Sequence, residues 1–358
     1  MLKNDAKDVL ALSPEELKKA MLATGIPAFR AKQVFDWLHK RNVTDFTAMD
    51  NLPADLRVKL TEIFPLTKLQ EQKVASSPDG TMKYLFELPD GETIETVYIP
   101  GKSRTTVCVS TMVGCPFGCV FCATGQSGFR RNLSAAEIIS QVYYIQAALG
   151  KDRRISNVVF MGMGEPLANY DEVIRAVRLL INSDGLNLAQ RHITISTVGI
   201  IPGIRRLETE GLQVNLAISL HSPFQEQREL MLPVAKQYPL RELMAAVRKY
   251  VAETARKVTF EYTVIHGKND SEADAQALAK LIKRLRCMVN VISMNPTPEM
   301  PAKTTALETA HFVSLLVDLG VEAVLRRSRG GEIDGACGQL RVIKPALPTV
   351  EVGDTINP

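Results

Sequence analysis

Four of the chain's six cysteines lie in the segment from Cys108 to Cys122. The last three, Cys115, Cys119 and Cys122, form a C-x3-C-x2-C triplet, and a proline and a glycine between them exclude regular helix and strand. Three thiolates on one loop can bind a soft metal centre. A structural zinc ion needs four ligands, and no second Cys/His pair at zinc-finger spacing follows. A [4Fe–4S] cluster on three thiolates leaves one iron open, so the triplet favours such a cluster over structural zinc.

Further polar residues directly follow several apolar runs that are predicted as strands. Met161–Leu167 contains glycines that let a backbone approach a small ligand closely, and its Glu165 offers a carboxylate. The other positions are Ser196 and Thr197, Ser219 to His221, and Asn295. Each of them alone is more typical of a helix cap, a turn or, for His221, a structural hydrogen bond. Their recurrence after successive strands favours one shared site.

Two residues far from the cysteine cluster are also candidates. Cys337 lies between an alanine and a glycine, after the basic segment Arg326–Arg329. We expect it to be mobile and accessible, because a structural cysteine more often lies in an apolar run. Cys287 leads into such a run, and we assign it no chemistry. Glu95 lies among apolar residues of a predicted strand, which indicates either an exposed sheet edge or a functional site.

The composition is typical of a soluble globular protein with one large and one smaller domain. The chain has 358 residues, 46% hydrophobic and 23% charged, and a net charge of +4. Because this excess of positive charge is small, we expect any RNA partner to bind only through a local basic patch. The first eight residues lack the apolar core of a signal peptide, and no run approaches the roughly 20 apolar residues of a membrane span. We therefore expect a cytoplasmic protein whose clustered cysteines serve metal or redox chemistry rather than disulfides.

Residues 1–65 are predicted to form a small helical module. Its first helix begins at Ser13-Pro14, with Glu16 three residues after the serine cap. A second helix covers about 28–40. The third follows Pro53, and its expected apolar residues are Leu56, Val58 and Leu60.

The module's basic positions are Arg30, Lys32, His39, Lys40 and Arg41. Charge alone favours a solvated helix face there over an RNA-contacting patch. Residues 66–104 are predicted to link the module to the rest of the chain as a β-hairpin. Its strands, Met82–Leu88 and Glu92–Ile99, flank a Pro-Asp-Gly turn.

From residue 105 onward, short β-branched runs alternate with segments of helical periodicity. Strands are expected near 106–112, 155–161, 192–198, 213–220, 257–265 and 289–294. Helices are expected near 134–149, 170–183, 201–210, 239–254, 271–285 and 306–319. Such alternation predicts a parallel sheet, and six units are short of the eight of a closed barrel. The expected fold is α/β, a partial (β/α)6 TIM-type barrel over 105–345 that includes the Cys337 loop, with its site at the C-terminal strand ends and a tail at 346–358.

The cysteine triplet, with Phe121 directly before its third cysteine, resembles the radical S-adenosylmethionine (SAM) superfamily. Nearly the whole chain resembles one family within it, the RlmN/Cfr radical SAM RNA methyltransferases, and is closest to the RlmN branch. The matching segments are Arg30–Leu38, Cys108 with the triplet, Gly162–Leu167, Ser219–His221, Asn295-Pro296, Arg329-Gly330 and Ala336–Leu340. One departure is Ile292–Met294, which lacks the proline and aromatic residue common before the asparagine in this family.

The resemblance implies cofactors and a role for each candidate residue. Cys115, Cys119 and Cys122 bind a [4Fe–4S] cluster. Two SAM molecules are used per turnover, and the matching SAM-binding positions are Gly164, Glu165, Ser196, Ser219, Leu220, His221 and Asn295. One SAM methylates the sulfur of Cys337, and a radical from the second takes a hydrogen from that methyl group, which then adds to the base. Cys108 resolves the adduct by forming a disulfide with Cys337, and Glu95 is the proton acceptor.

The implied substrate is carbon 2 of an adenosine in 23S rRNA, position 2503 in the family, and adenosine 37 of some tRNAs. The implied partners are these RNAs, contacted by the basic N-terminal helices, and an electron donor such as flavodoxin, with no membrane and a monomeric state. Three alternatives remain open: Cfr-type methylation of carbon 8, RNA binding by a non-catalytic cluster or zinc protein, and a radical SAM activase acting on a protein. The last two do not require Cys108 and Cys337.

Overall fold

The protein's structure, a computed structural model, describes residues 7–150, 153–298, 300–301 and 304–342. The predicted tail, 346–358, and the last three residues predicted for the barrel segment lie outside these ranges. None of the helices in the described part of the chain is both long and apolar enough to cross a membrane.

The structure contains eleven α-helices and twelve strands within the described residues. The helices are α1 Pro14–Ala23, α2 Phe29–Phe35, α3 Ala54–Ile63, α4 Ala123–Gln126, α5 Ala135–Leu149, α6 Tyr170–Leu180, α7 Ile201–Thr209, α8 Gln225–Met231, α9 Leu240–Thr254, α10 Glu272–Leu281 and α11 Ala306–Asp318. The strands are β1 Gln70–Ser76, β2 Met82–Glu87, β3 Thr93–Pro100, β4 Thr105–Cys108, β5 Met112–Gly114, β6 Phe129–Asn132, β7 Asn157–Phe160, β8 Ile193–Thr197, β9 Asn215–Ser219, β10 Val258–Val264, β11 Cys287–Ser293 and β12 Ala323–Arg326.

Ten of these strands form one sheet with the order β1-β2-β3-β4-β7-β8-β9-β10-β11-β12. The strands from β4 to β12 in this order pair in parallel, with α5, α6, α7, α9, α10 and α11 between them along the chain. The expected partial α/β barrel is therefore confirmed, and its helices lie close to the predicted ranges. The barrel has one parallel strand more than predicted, the four-residue β12, which pairs with β11.

Two predicted strand regions differ from the structure. The segment 66–104 contains three antiparallel strands rather than two, and β3 pairs with β4, so the hairpin extends the barrel sheet. The run predicted as one strand at 106–112 is divided: β4 belongs to the main sheet, whereas β5 pairs with β6 in a separate two-stranded sheet. The division falls at Ser110, whose hydroxyl donates to the Glu95 carbonyl (2.6 Å) and whose N–H donates to Gln141 (2.8 Å), contacts that replace the strand ladder.

The N-terminal module forms as predicted, with one error in its apolar pattern. Ser13 caps α1 in both directions: its Oγ accepts the Glu16 N–H (3.2 Å), and its own N–H donates to the Glu16 carboxylate (2.9 Å). The second predicted helix is α2 followed by a π-helical turn, Asp36–Lys40. In α3 Leu60 is fully buried, as predicted. Val58 is 58% exposed, so the prediction that it belongs to the apolar face is wrong.

His39 is not part of a basic surface, contrary to its place among the module's basic positions. Its ring is fully buried, stacks on Phe35 (4.0 Å between centroids), and its Nδ1 is hydrogen-bonded to the Tyr143 hydroxyl of α5 (2.8 Å). Lys32 is exposed and forms ion pairs with Asp36 and Asp184 (both 3.3 Å). His39 therefore attaches the module to the barrel, whereas Arg30, Lys40 and Arg41 remain as candidate RNA contacts.

The burial of His39 predicts a pH-dependent loss of stability. Burial lowers the pKa of His39 to about 3, whereas an imidazole in the unfolded chain has a pKa of about 6.5. Below about pH 6.5 the unfolded chain binds a proton that the folded protein does not, so this contribution to stability decreases as the pH falls toward 3. We expect His39→Asn to reduce the slope of unfolding free energy against pH between 6.5 and 5, measured by urea unfolding. An unchanged slope would contradict a neutral His39.

Candidate active site

The three cysteines of the triplet lie on one loop between β5 and α4. The loop is closed by hydrogen bonds from the Cys115 N–H to the Gly128 carbonyl (2.9 Å) and from the Cys122 N–H to the Cys119 carbonyl (3.1 Å). Gly114 has a φ of +74°, and a Cβ there would lie 1.8 Å from the Gly128 oxygen, so glycine is required at the start of the loop. All three thiols line one cleft of about 940 Å³, which includes space open to solvent.

The chemistry of these thiols fits a cationic iron–sulfur cluster. Burial, with the neighbouring cysteines adding to it, raises the pKa of Cys115 to about 12 and raises that of Cys119 well above its usual value. Deprotonation of all three therefore requires nearby positive charge, which the irons of a cluster supply. In the described ranges no three His, Cys, Asp or Glu side chains form a group that could hold a single metal ion. A cluster has a different requirement, because each thiolate binds its own iron.

The segment after β7 provides a buried carboxylate in the same cleft. Glu165 accepts the N–H groups of Leu167 (2.9 Å) and Val198 (2.8 Å). Burial raises the pKa of Glu165 to about 7, although these hydrogen bonds oppose the shift. The carboxyl group can thus exchange a proton or a hydrogen bond near neutral pH.

The glycines beside Glu165 line the cleft and are also required by packing, which the sequence analysis did not predict. A Cβ at Gly162 would lie 2.6 Å from the Val109 carbonyl oxygen, and one at Gly164 would lie 2.6 Å from the Met112 side chain. Both positions therefore need glycine so that this segment can pack against the chain that leads to the cysteine loop. Close approach of a ligand is not needed to explain them.

The candidate residues at the other strand ends converge on this cleft, as predicted, except for Leu220. The cleft is lined by Gly164, Glu165, Ser196, Ser219, His221 and Asn295. Leu220 is fully buried in the core, and its side chain does not line the cleft. His221 lines the cleft, and its Nδ1 accepts the Thr263 N–H (2.9 Å), the structural hydrogen bond considered for it. Burial lowers the pKa of His221 to about 3, so its imidazole is neutral.

The loop that contains Cys337 closes one side of the cleft. Asn295 Nδ2 donates to the Cys337 carbonyl (3.1 Å), and the Ala123 N–H donates to the Gly338 carbonyl (2.7 Å). Gly338 has a φ of +85°, and a Cβ there would lie 2.9 Å from the Phe121 carbonyl oxygen. Cys337 itself is exposed, as expected. Its neighbours are held by hydrogen bonds on both sides, so its backbone is fixed against the cysteine loop.

A second cavity, of about 1810 Å³ including its open part, lies at the other side of Cys337. The first cleft is lined by the C-terminal ends of the strands, whereas this cavity extends along the strands to residues near their beginnings, such as Asn157 and Asn215. Its basic lining residues are Arg104, Arg191, Lys257, Arg326, Arg327 and Arg329. Cys108 lines it too, buried in the sheet, and both Cys108 and Cys337 are free thiols. Cys337 belongs to both cavities.

Arg326 and Glu261 lie on the shared wall, and the sequence analysis missed both. Arg326, the first residue of the predicted basic segment, ends β12 and forms an ion pair with Glu261 (3.3 Å). Arg326 lines the second cavity together with Cys337 and Cys108, and the charges of these two cysteines raise the pKa of Arg326. The detectable sign for Glu261 was a carboxylate inside an apolar strand between Phe260 and Tyr262. Arg326 would have been identified as a candidate if β12 had been predicted from the sequence.

Glu95 is buried, and it is not at an exposed edge. Its carboxylate forms an ion pair with Lys83 (2.8 Å) and accepts the Arg341 N–H (2.9 Å) at the end of the Cys337 loop. Burial raises the pKa of Glu95, with Lys83 opposing the shift. Among the described lining residues of the two cavities Glu95 is not present. The structure therefore places it beside the Cys337 loop but not at the cleft.

Comparison with known proteins gives a consistent match along the chain. Residues 7–66 match the family model described as "Ribosomal RNA large subunit methyltransferase N-terminal domain", and residues 109–300 match "Radical SAM superfamily". A probable dual-specificity RNA methyltransferase RlmN from Geobacillus thermodenitrificans is 46% identical over 335 residues, 93% of this chain and 92% of that protein. One from Symbiobacterium thermophilum is 47% identical, over 92% of this chain and 90% of that protein. The crystal structure of a radical SAM methyltransferase from Sphaerobacter thermophilus superimposes with a TM-score of 0.91 at 45% identity, covering 93% of this chain and 99% of that one.

Proposed function

We propose that this chain, which belongs to the RlmN family of radical SAM methyltransferases, methylates carbon 2 of adenosine in 23S rRNA and in some tRNAs. The observation that supports the proposal most is the position of Cys337 on the wall shared by two cavities. One cavity contains the cysteine triplet, and the other has a basic lining suited to RNA phosphates. The Cys337 sulfur can thus receive a methyl group from SAM in the first cavity and deliver it to RNA in the second.

Each side of Cys337 has a distinct task in this proposal. A [4Fe–4S] cluster, when bound by Cys115, Cys119 and Cys122, supplies the electron for radical formation from SAM. The residues Gly164, Glu165, Ser196, Ser219, His221 and Asn295 hold SAM in the cleft that they line. Leu220 is a proposed SAM contact through its backbone, because its side chain is in the core. An electron donor such as flavodoxin and a monomeric, cytoplasmic enzyme complete the proposal.

Carbon 2 of adenine is electron-poor and not a nucleophile, so a direct methyl transfer from SAM to it is unfavourable. The Cys337 sulfur is a competent nucleophile and accepts the methyl group first. A radical formed from the second SAM would take one hydrogen from this methyl group, and the carbon then bonds to the base. The adduct loses the hydrogen of carbon 2 as a proton and one electron, which the oxidised cluster would accept. The Cys108 thiolate then bonds to the Cys337 sulfur while the sulfur–carbon bond breaks, and the released carbon takes a proton to become the methyl group. The shared cavity of the two thiols supports this pairing. Glu95 takes the proton from the base carbon, once the loop end that covers its carboxylate has shifted on RNA binding.

We expect Glu95→Gln to reduce the single-turnover rate of RNA methylation about 10²- to 10⁴-fold, the usual contribution of a general base. Glutamine preserves the volume and can still accept the Arg341 N–H, so the loop stays in place. The matched control is Glu92→Gln, which removes a carboxylate that pairs with Arg130 (2.5 Å) on the same hairpin. A rate in Glu95→Gln as high as in the control would contradict a role in proton transfer.

Nucleoside mass spectrometry tests the proposed reaction. Anaerobically reconstituted protein is incubated with SAM, a reductant and unmodified 23S rRNA or tRNA, and the RNA is digested to nucleosides. We expect 2-methyladenosine from both RNAs. Formation of 8-methyladenosine would assign the chain to the alternative carbon 8 reaction, and no methylated adenosine at all would contradict RNA methylation.

A further inference from the structure

Arg228 on α8 is a buried cation without a carboxylate partner in the described part of the chain. Its side chain is fully buried, and its Nη2 donates to the carbonyl oxygens of Val198 (2.5 Å) and Ser219 (3.5 Å). Its Nε and Nη1 have no hydrogen-bond partner among the described residues. Burial lowers the pKa of Arg228 to about 10, so the group is still charged at neutral pH. A charge in such a place is strongly destabilising unless an anion compensates it.

A group that can become an anion, the Cys119 thiol, lies on the segment that packs against α8. The Val198 and Ser219 carbonyls that Arg228 binds line the same cleft as Cys119. The two elements are joined directly, because the Val120 N–H donates to the Met231 carbonyl at the end of α8 (3.1 Å). Cys119 and Arg228 are thus held on directly packed segments, since Met231 follows Arg228 by about one turn of α8.

The carboxylate of SAM is a less suitable partner. Cys119 lines the cleft where SAM is proposed to bind, but Arg228 is absent from the described lining of that cleft. The guanidinium is instead hydrogen-bonded to the carbonyls of Val198 and Ser219, which line the cleft themselves.

We propose that Arg228 is a positioning residue for the iron–sulfur cluster: its guanidinium compensates the negative charge at the Cys119 corner and raises the cluster's reduction potential. The inference rests on the cluster that the proposed function requires. When a one-electron donor of the flavodoxin or dithionite class reduces the cluster, the donor loses one electron and the cluster becomes more negative by one charge. A fixed cation stabilises the reduced form more than the oxidised form, so it makes reduction easier.

The test is a redox titration of the reconstituted full-length protein without RNA, followed by electron paramagnetic resonance of the reduced cluster. The neutral variants are Arg228→Gln and Arg228→Met, of which the apolar methionine suits a buried site. The comparison is made at the potential where the wild-type cluster is half reduced. There we expect the ratio of reduced to oxidised cluster in the two neutral variants to be about tenfold lower than in the wild type, a shift of about 59 mV for one electron. Arg228→Lys retains the charge and is expected to stay within about threefold of the wild type. The matched control Arg248→Gln, an exposed arginine of α9, is expected to leave the ratio unchanged.

The outcomes separate this inference from the proposed reaction. A neutral variant with full iron and sulfide content and the wild-type ratio would overturn the role of Arg228. If neither neutral variant assembles a cluster, Arg228→Lys decides between the explanations. A cluster in Arg228→Lys supports the need for a cation at this position, and the absence of a cluster in Arg228→Lys as well overturns the inference. A wild-type protein that assembles the cluster but makes no methyladenosine rejects the reaction and leaves the inference intact.

Discussion

Replacing Cys337 with alanine is expected to lower RNA methylation by about 10³-fold or more, because the sulfur that receives the methyl group is lost. The contacts that hold the loop use the carbonyls of Cys337 and Gly338, which alanine retains. The side chain is also exposed, so little packing is lost. The effect should therefore be on chemistry, with cluster content and SAM binding unchanged. The measurement is the yield of 2-methyladenosine by mass spectrometry.

Cys287→Ala is the matched control for this change. Cys287 begins β11, was assigned no chemistry from the sequence, and lines neither cavity among the described residues. It should retain methylation close to that of the wild type. Methylation that survives in Cys337→Ala would exclude the sulfur as the methyl carrier.

Replacing Cys108 with alanine is expected to trap the RNA on the enzyme as a covalent adduct. Without the second sulfur, the bond between Cys337 and the added carbon has no thiol beside it to resolve it, since Cys108 and Cys337 are the cysteines that line the second cavity. Each enzyme molecule should therefore react about once. The adduct is measured as a slower band on a denaturing gel that RNase removes.

The same Cys287→Ala control should release its product and show no such band. An adduct also requires Cys337, so the double variant Cys108→Ala with Cys337→Ala should form none. Repeated turnover by Cys108→Ala would contradict the resolving role.

The cysteine triplet and the barrel could be predicted from the sequence because both are local patterns. The spacing of Cys115, Cys119 and Cys122 alone places three thiols on one loop, and strand–helix alternation specifies a parallel sheet. The convergence of Ser219 and Asn295 on one cleft then follows from the topology, since parallel strands end at the same edge.

The errors came from contacts between segments distant in the chain. His39 has the residue type of a surface cation, but Tyr143, more than a hundred positions later, makes it a buried neutral group. Gly162 needs glycine because of the Val109 backbone, a contact that no local pattern shows. Arg228 lies on the short α8, which was not predicted, and its partner charge is on another loop. Side-chain partners of this kind depend on the tertiary fold.

An isotope pulse and chase on Cys337 tests whether its sulfur carries the methyl group to RNA. The enzyme is first loaded with SAM that has a deuterated methyl group, freed of excess SAM, and then given RNA with unlabelled SAM under reducing conditions. We expect a labelled methyl on the Cys337 peptide before the chase and deuterium in the first 2-methyladenosine formed. An unlabelled first product, with the label still on the peptide, would contradict this role of the sulfur.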